Sequence, residues 1–375
     1  TNPSASSFSG SESGTVVTLD AGSYSVTEDA VIGYEATIES GCSGTLSVGD
    51  EKTCTITNND IQPQLIVTKH VVNDNGGNTN AGNFNLSVSG TGVSPSSFPG
   101  DENGTTVGLN AGSYGVSETS VDGYASSLSS GCSGAIVVGQ TKTCTVTNDD
   151  IAPKLTVIKH VIKNNGGTAV AGDFTMEVVG TNVSDTSFAG DENGITVTLN
   201  KGSYSVDEDS FVGYAKSIGE NCSGDINIGE EKTCTITNDD IAPKLTLNKV
   251  VVGDNGGTES ESAWTITATG DQETPTVLSG NGAPGSDDVV SGSNFQTGIY
   301  SLSESGPFGY AASSWTCAGD VENNGDEITL GLNQTATCAI TNDDIAPSLT
   351  LIKHAINDNG GTAAVTDWTL SATGL

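Results

Sequence analysis

Apolar and polar residues alternate in short runs along most of the chain, a pattern typical of β-strands that bury one face. Three of these runs place a polar residue among the apolar ones. In LIVTKHV, Lys69 lies on the aliphatic face, and in SYGVSE, Glu118 lies on the face of the tyrosine and valine. In CTVTN, Asn148 lies on the face of the cysteine and valine. The alternation therefore predicts three strands that each carry one polar side chain into the core.

The whole pattern recurs about every 90 residues, which predicts a tandem array. Frequent glycine, threonine, serine and asparagine predict short strands and many turns, and therefore an all-β fold. Short linkers of the DIAP type, each with a proline that restricts flexibility, join the copies. The predicted units are an N-terminal part (1–61), repeat 1 (64–151), repeat 2 (154–241), repeat 3 (244–345) and a C-terminal part (348–375). Repeat 3 is longer because of an insertion at 271–297, which we expect to be an extended loop.

Each copy offers its core the same three polar side chains, one lysine, one glutamate and one asparagine. Burying an ammonium group or a carboxylate without a partner is costly, so we expect the three side chains to meet. The sets are Lys69, Glu118 and Asn148 in repeat 1, Lys159, Glu208 and Asn238 in repeat 2, and Lys249, Glu304 and Asn342 in repeat 3. The N-terminal part carries Glu28 and Asn58, and the C-terminal part carries Lys353.

Two kinds of chemistry fit such a buried set. Burial lowers the pKa of a lysine, and a neutral amine can attack an asparagine carboxamide while a protonated glutamate moves the proton. Ammonia leaves, and a Lys–Asn isopeptide bond remains. The alternative is a buried lysine–glutamate ion pair capped by the asparagine, with no bond formed.

The order of these motifs resembles that of the collagen-adhesin B-type, prealbumin-like domains of prokaryotic pilins and surface adhesins. The shared features are a lysine in the first strand, the pattern Y-x-x-x-E followed by GY, and an asparagine in the last strand. The resemblance covers the whole chain. It implies a tandem array of prealbumin- or immunoglobulin-like antiparallel β-sandwich repeats. It also implies an intramolecular isopeptide bond between the lysine and the asparagine of each set, with the glutamate assisting. The paired cysteines are a departure from the family pattern.

The eight cysteines fall into four pairs, three of which have identical spacing. Each pair flanks a glycine-containing stretch such as CSGTLSVGDEKTC, which we interpret as a β-hairpin closed by a disulfide bond. Paired cysteines in every copy indicate an oxidising, extracellular location, and free buried thiols are the alternative. The predicted disulfide bonds are Cys42–Cys54, Cys132–Cys144, Cys222–Cys234 and Cys317–Cys338.

The chain carries a formal net charge of −34, which excludes ordinary phosphate-backbone binding and so argues against a nucleic-acid partner. No stretch approaches the roughly 18 apolar residues of a membrane span. Aspartate pairs beside the linkers supply the oxygen ligands that Ca²⁺ prefers, and solvated turns are the alternative. These aspartates are Asp149, Asp150, Asp239, Asp240, Asp343 and Asp344. No other cofactor is implied.

The sequence contains no nucleophile–histidine–acid set, Walker loop or zinc motif, so we expect no enzyme. We expect instead an extracellular stalk or filament of covalently locked repeats, because near-identical copies suit a spacer. The alternative is a multidomain surface adhesin with a ligand site on the insertion of repeat 3.

The N-terminal and C-terminal parts together correspond to one repeat, because the first lacks the opening strands that the second carries. One interpretation is head-to-tail strand addition between copies of this chain, which generates a filament. Lys353 would then reach Asn58 of the neighbouring copy, with Glu28 beside it. The other interpretation is that these residues are a window of a longer polypeptide, in which the same geometry arises within one chain.

Overall fold

The computed structural model describes residues 2–283, 285–321 and 323–374, which form β-strands and short 3-10 turns but no α-helix. Repeats 1, 2 and 3 each form two β-sheets around an apolar core. The prediction of an all-β array of tandem sandwiches is therefore confirmed. The 3-10 turns span Ser40–Cys42, Ala81–Asn83, Ser130–Cys132, Ala171–Asp173, Glu261–Ala263, Asp287–Val289 and Val365–Asp367.

The N-terminal part contains two small sheets of two strands each. Its strands are β1 (Gly22–Ser25), β2 (Tyr34–Ile38), β3 (Ser43–Leu46) and β4 (Ile56–Asp60). β1 pairs with β3, and β2 pairs with β4, both antiparallel. Apolar side chains such as Tyr34 and Ile38 are exposed here, because no further strand of the described chain packs against these sheets.

Repeat 1 consists of eight strands in two sheets of four. The strands are β5 (Gln64–Val72), β6 (Asn85–Ser89), β7 (Ser97–Pro99), β8 (Thr105–Gly108), β9 (Gly112–Glu118), β10 (Tyr124–Leu128), β11 (Ser133–Ile136) and β12 (Thr141–Asp150). One sheet has the order β10–β12–β5–β8, and the other has the order β11–β9–β6–β7. The first and last strands, β5 and β12, are parallel neighbours, whereas the other pairs are antiparallel.

Repeat 2 has the same architecture. Its strands are β13 (Lys154–Ile162), β14 (Thr175–Val179), β15 (Ser187–Ala189), β16 (Ile195–Thr198), β17 (Gly202–Glu208), β18 (Tyr214–Ile218), β19 (Ser223–Ile226) and β20 (Glu231–Asp240). The sheets have the orders β16–β13–β20–β18 and β15–β14–β17–β19, with β13 and β20 parallel.

Repeat 3 keeps the parallel pair of first and last strands but enlarges the second sheet to five strands. Its strands are β21 (Lys244–Val252), β22 (Thr265–Gly270), β23 (Val277–Asn281), β24 (Gly298–Ser305), β25 (Tyr310–Ala312), β26 (Thr316–Gly319), β27 (Asn323–Asn324), β28 (Glu327–Leu330) and β29 (Thr335–Asp344). The insertion is therefore not one extended loop, because β23 lies within it and pairs with β22. Residues 345–374 contain no strand.

The parallel pairing determines which polar side chains share a place in the core. In the register of β5 and β12, Lys69 lies opposite Val146, and Asn148 lies opposite Val71. Lys69 and Asn148 are thus diagonal neighbours on one sheet. Glu118 ends β9 in the facing sheet, so the fold brings the carboxyl group from the other side of the core.

The four predicted cysteine pairs are the four disulfide bonds of the structure. The hairpin interpretation is wrong for the first three pairs. After Cys132, the strand β11 pairs with β9, whereas Cys144 belongs to β12 in the opposite sheet. The chain crosses between the sheets at this corner, so the disulfide bond joins the two layers of the sandwich. In repeat 3, Cys317 and Cys338 do lie opposite each other on paired antiparallel strands.

The linkers between repeats are hydrogen-bonded on both sides. The Ile151 N–H donates to the Gly123 carbonyl of repeat 1 at 2.8 Å, and the Ile151 carbonyl accepts from Gly229 of repeat 2 at 2.7 Å. The same two kinds of hydrogen bond recur at Ile61 and Ile241. The predicted repeat boundaries stay a prediction, but these three linkers are held in place by both neighbours.

Candidate functional site: buried lysine, glutamate and asparagine sets

The set of repeat 1 lies in the middle of the sandwich. Lys69 is fully buried, and its Nζ lies 3.5 Å from Glu118 Oε1. The same amine donates to the His70 carbonyl at 3.0 Å. The Glu118 side chain is 3% exposed, so both charged groups have lost nearly all contact with water. Such a buried pair needs good geometry to offset the cost of desolvation.

The other complete sets have the same arrangement. In repeat 2, Lys159 Nζ lies 3.3 Å from Glu208 Oε2, with both side chains fully buried. In repeat 3, Lys249 Nζ lies 3.0 Å from Glu304 Oε2. The structure thus places the lysine and the glutamate of each complete set in contact.

The asparagine of each set lies on the same buried face, in the last strand. Neither amide atom of Asn148 or Asn238 has a hydrogen-bond partner among the described residues. In repeat 3, Lys249 Nζ donates to Asn342 Oδ1. A buried polar group without a partner costs about 1–3 kcal/mol. The asparagine thus makes no capping hydrogen bond in repeats 1 and 2, and the choice between an ion pair and an isopeptide bond stays a prediction.

The electrostatic environment favours a nucleophilic amine. Burial lowers the pKa of Lys69, Lys159 and Lys249 from the ordinary lysine value, although the paired glutamate acts in the opposite direction. A lowered pKa increases the fraction of neutral amine, which is the form that attacks a carbonyl carbon.

An aromatic ring covers each lysine, a feature that the sequence analysis missed. Lys69 Nζ lies 4.3 Å from the centre of the Phe84 ring. Lys159 and Lys249 have equivalent partners in Phe174 and Trp264, at 4.3 and 5.0 Å. In each case the aromatic residue follows the lysine by 15 positions, so the spacing could have revealed it. The ring packs over the amine and shields it from water, and its face attracts the charged form of the lysine.

Glycines make room for the lysine stem. A Cβ atom at Gly100 would lie 2.6 Å from Lys69 Cγ, and one at Gly190 would lie 2.6 Å from Lys159 Cβ. Gly282 has the same relation to Lys249. Any larger residue at these positions would displace the lysine from its partners.

The N-terminal and C-terminal parts contain fragments of a fourth set. Asn58 Nδ2 donates to Glu28 Oε2 at 3.0 Å, and this pair is exposed. Lys353 lies above the Trp368 ring, with Nζ 4.4 Å from its centre, as the other lysines lie above their aromatic partners. No contact in the described part of the chain joins Lys353 to Glu28 or Asn58.

The last aspartate of each complete repeat binds a backbone loop. Asp150 accepts hydrogen bonds from the N–H groups of Asp74, Asn75 and Gly77, at 2.6 to 3.1 Å. Burial raises the pKa of Asp150, but the hydrogen bonds outweigh it, so the pKa is lowered overall. The Tyr124 hydroxyl donates to Asn73 of the same loop. Asp240 and Asp344 hold the equivalent loops of repeats 2 and 3 in the same way.

Two of the aspartate groups predicted to bind Ca²⁺ gain a third member from this loop. Asp74 joins Asp149 and Asp150 in repeat 1, and Asp254 joins Asp343 and Asp344 in repeat 3. In repeat 2, Asn164 stands in place of this third aspartate, beside Asp239 and Asp240. Calcium binding at these positions stays a prediction.

The family follows from comparison with known proteins. A family model described as a prealbumin-like fold domain matches residues 60–152, 149–237, 240–340 and 344–375, which is more than half of the chain. The chain belongs to this family. The resemblance inferred from the motifs is therefore confirmed. No curated protein sequence matches the chain.

Solved structures with a similar fold come from several bacteria. The Bacillus anthracis TIE protein is 15% identical, over 88% of this chain and 69% of that protein, with a TM-score of 0.43. Two B repeat units of the Staphylococcus aureus collagen-binding protein are 14% identical, over 80% and 85%, with a TM-score of 0.25. The major pilin T-13 of Streptococcus pyogenes is 13% identical, over 51% and 97%, with a TM-score of 0.27. These likenesses concern the fold of the repeats alone. Among the described residues, no helix is long and apolar enough to cross a membrane.

Proposed function

We propose that this chain is an extracellular stalk whose three complete repeats are each locked by a Lys–Asn isopeptide bond. One observation carries the proposal. In all three complete repeats, a lysine of the first strand and an asparagine of the last strand lie on one buried face, and a glutamate contacts the lysine. The proposed bonds are Lys69–Asn148, Lys159–Asn238 and Lys249–Asn342.

The proposed reaction needs no cofactor. The neutral amine of Lys69 attacks Cγ of Asn148, so that a C–N bond forms and the Cγ–Nδ2 bond breaks. Glu118, whose Oε1 lies 3.5 Å from the amine, takes a proton from the attacking nitrogen and passes it to the leaving nitrogen, which departs as ammonia. The reaction consumes the unpaired amide nitrogen of Asn148 and leaves no buried lysine charge.

The position of the bond suits a protein under tension. Because β5 and β12 are parallel neighbours, a force on the two ends of repeat 1 shears this pair. A Lys69–Asn148 bond would carry that force directly and bypass residues 70–147. It also closes a long loop, which is worth on the order of 4–5 kcal/mol if the model for disulfide loops applies.

A structural role agrees with the other features of the molecule. The pKa-perturbed lysines lie in a closed core, where no substrate can reach them. Four disulfide bonds are consistent with an oxidising extracellular location. Pilins and surface adhesins of similar fold support a place at the cell surface or in a filament.

We further propose that copies of the chain associate head to tail through the fourth set. The Glu28–Asn58 pair lies exposed beside sheets that lack a first strand. Lys353 is already arranged over Trp368, as Lys69 is over Phe84. Residues 349–355 of one copy would pair with β4 of the next, and Lys353 would bond to Asn58. The same geometry within one longer polypeptide is the competing arrangement.

The intact mass of the reduced, denatured protein tests the bonds. We expect a mass lower than that of the sequence by three ammonia molecules. Each of Lys69→Ala, Lys159→Ala and Lys249→Ala should leave only two ammonia losses, whereas Lys142→Ala, at a surface lysine, should leave three. A mass equal to that of the unmodified sequence would refute the cross-links.

Denaturing electrophoresis tests the head-to-tail association. Boiled and reduced assemblies should give a ladder of covalent multiples, and Lys353→Ala should reduce the ladder to single subunits. If the ladder persists in Lys353→Ala, or if no multiples form at all, the intermolecular bond is wrong.

A further inference from the structure

The loop that Asp150 holds also contacts the next repeat. At the junction of repeats 1 and 2, the Lys201 N–H donates to the Asn75 carbonyl at 2.9 Å, and Asn200 Nδ2 donates to the Asp74 carbonyl at 3.3 Å. The Asn75 side chain itself takes no part in the contact. Its Nδ2 turns back to Asp74 Oδ1 at 2.5 Å and to the Asp150 carbonyl at 2.9 Å.

At the junction of repeats 2 and 3, the equivalent side chain turns outward. Asn165 Nδ2 donates to the carbonyls of Ser293 at 2.8 Å and Phe295 at 3.0 Å, both in the insertion of repeat 3. Asn165 is 3% exposed, whereas Asn75 is half-buried. Asn255, the equivalent residue of repeat 3, is exposed and turns back to its own loop as Asn75 does.

Three further hydrogen bonds join the same two segments. The Thr297 N–H donates to the Asn165 carbonyl at 2.9 Å, and Thr297 Oγ1 donates to the Gly166 carbonyl at 3.3 Å. Gln296 Nε2 donates to the Asn164 carbonyl at 2.6 Å. The contact is therefore more extensive than at the junction of repeats 1 and 2.

One sequence difference in the loop favours the outward turn. The residue before the loop asparagine is Asp74 in repeat 1 and Asp254 in repeat 3, and in both the carboxylate accepts from the asparagine that follows. In repeat 2 this residue is Asn164. An amide is a weaker acceptor than a carboxylate, so Asn165 is free to donate to the next repeat instead.

The receiving segment is anchored to the core of repeat 3. Phe295 is 5% exposed and stacks on Tyr300, with ring centres 4.7 Å apart. The Tyr300 hydroxyl donates to the Gln296 carbonyl at 2.6 Å, and Gln272 Nε2 donates to the Thr297 carbonyl at 2.8 Å. These contacts hold the segment that carries the acceptor carbonyls of Ser293 and Phe295 against the core of repeat 3.

We propose that residues 293–297 form a clasp, which binds the loop 164–167 and holds repeats 2 and 3 in one fixed orientation. The clasp gives the insertion a role within the chain, so these residues are not available to an external ligand. The junction of repeats 2 and 3 is then stiffer than that of repeats 1 and 2. The proposal does not depend on the isopeptide bonds, because it concerns different residues.

Amide hydrogen exchange in the full chain tests the clasp. Asn165→Ala removes the side chain that donates to the clasp. Asn164→Asp introduces the carboxylate that repeats 1 and 3 have at this position, which should turn the Asn165 side chain back to its own loop. Each change should speed exchange of the Thr297 amide about tenfold, as expected for the loss of roughly one net hydrogen bond. Unchanged exchange in β13 and β24 shows that both repeats remain folded.

The matched controls lie at the other junction. Asn75→Ala and Asp74→Asn alter the same loop positions of repeat 1, where repeat 2 offers no clasp, and should leave exchange of Thr297 unchanged. The proposal is overturned if Thr297 exchanges as fast as an unprotected amide in the unaltered protein. It is also overturned if neither Asn165→Ala nor Asn164→Asp speeds its exchange.

Discussion

Lys69 reaches its partners only because its stem passes beside Gly100. An alanine methyl there would lie 2.6 Å from Lys69 Cγ, so Gly100→Ala should displace the amine from Asn148 and slow the cross-link. We expect a clear fraction of repeat 1 without the Lys69–Asn148 peptide in a mass-spectrometric digest. Gly82→Ala is the control, because its methyl would meet its nearest neighbour at an ordinary 3.5 Å. Complete cross-linking in Gly100→Ala would contradict this account of the glycine.

The lowered pKa of the buried lysines predicts how stability depends on pH when the bond is absent. In Asn342→Ala the bond cannot form, and Lys249 stays titratable. Because burial lowers its pKa below 10.5 in the folded state, the unfolded chain binds more protons between the lowered value and 10.5. The free energy of unfolding of repeat 3 should therefore rise with pH across this window.

Tryptophan fluorescence during urea unfolding measures this effect, since Trp264 and Trp315 are buried in repeat 3. The reference is the double variant Lys249→Met/Asn342→Ala, which lacks the titrating amine but shares all other groups. The rise should appear in the difference between the two variants. If the difference in unfolding free energy between the two variants did not change with pH, the charge of Lys249 would not destabilise folded repeat 3.

At this scale the sequence predicted the polar sets but not their surroundings. Lysine, glutamate and asparagine occupy core-facing positions of alternating strands, so the period of two revealed them. Phe84 and Gly100 lie just outside strands β6 and β7, so the alternating pattern does not include them. Their contacts with Lys69 depend on how closely the two sheets pack. Asp150 was singled out as a calcium ligand, which stays a prediction, and its observed backbone hydrogen bonds depend on a loop about 75 residues earlier.

At the scale of strands, the two kinds of covalent link have different mechanical roles. With the Lys69–Asn148 bond in place, tension enters β5, crosses at Lys69 and leaves through the end of β12. The Cys132–Cys144 bond lies within the bypassed segment and carries no load. The disulfide bond instead ties the two sheets together, which stabilises the fold without affecting its extension under force.

Single-molecule force spectroscopy separates these roles. In Asn148→Ala, repeat 1 should unfold and extend under force, whereas in the unaltered chain it should not. A reductant should then lengthen Asn148→Ala by an additional 40 Å or so relative to the unaltered chain. This length follows from a disulfide loop of 12 residues at about 3.5 Å per residue. If the reductant instead lengthened repeat 1 of the unaltered chain as much as repeat 1 of Asn148→Ala, the Cys132–Cys144 bond would carry load even in the unaltered protein.

The strands themselves were largely predictable, but their pairing was not. Alternation and turn residues located strands such as β5, β9 and β12. The stretch between Cys132 and Cys144 looked like a hairpin because it is short and contains glycine, yet its two strands join different sheets. The local sequence specifies that the chain turns between two strands, whereas the sheet that each strand joins depends on partners that are distant in the sequence. The pairing of β23 with β22 was missed for the same reason, since the insertion breaks the repeat pattern.

At the scale of the whole molecule, the repeats form a chain whose junctions are built from recurring parts. Ile61, Ile151 and Ile241 are each hydrogen-bonded to both neighbours, and the loop after the first strand of repeats 1 and 2 contacts the following repeat. The junction of the N-terminal part and repeat 1 has the linker hydrogen bonds and a close approach of Gly33 to Val138 and Gly139, but no such loop precedes it in the described residues. A cleft of about 420 Å³ remains there, lined by residues that include Asp60, Pro63 and Asn110. At the next junction, the loop that contains Asn75 fills the equivalent place beside Asn200.

The head-to-tail proposal predicts what fills this cleft. A synthetic peptide of residues 348–375 carries the loop sequence NDNGG together with Lys353. We expect it to add its first strand beside β4, to offer its loop N–H groups to Asp60, and to become bonded through Lys353 to Asn58. The protein should gain the mass of the peptide minus one ammonia molecule, as measured on the reduced and denatured sample.

Two variants distinguish the steps of this addition. A peptide with Lys353→Ala should bind but leave the mass of the denatured protein unchanged, because it has no amine to form the bond. Glu28→Ala in the protein should allow binding yet slow the covalent step, since the proton then has no carboxyl group to carry it. If the unaltered peptide neither binds nor adds mass to protein whose own C-terminal part has been removed, the N-terminal part does not accept a strand from another copy. The fourth set would then belong to a single polypeptide.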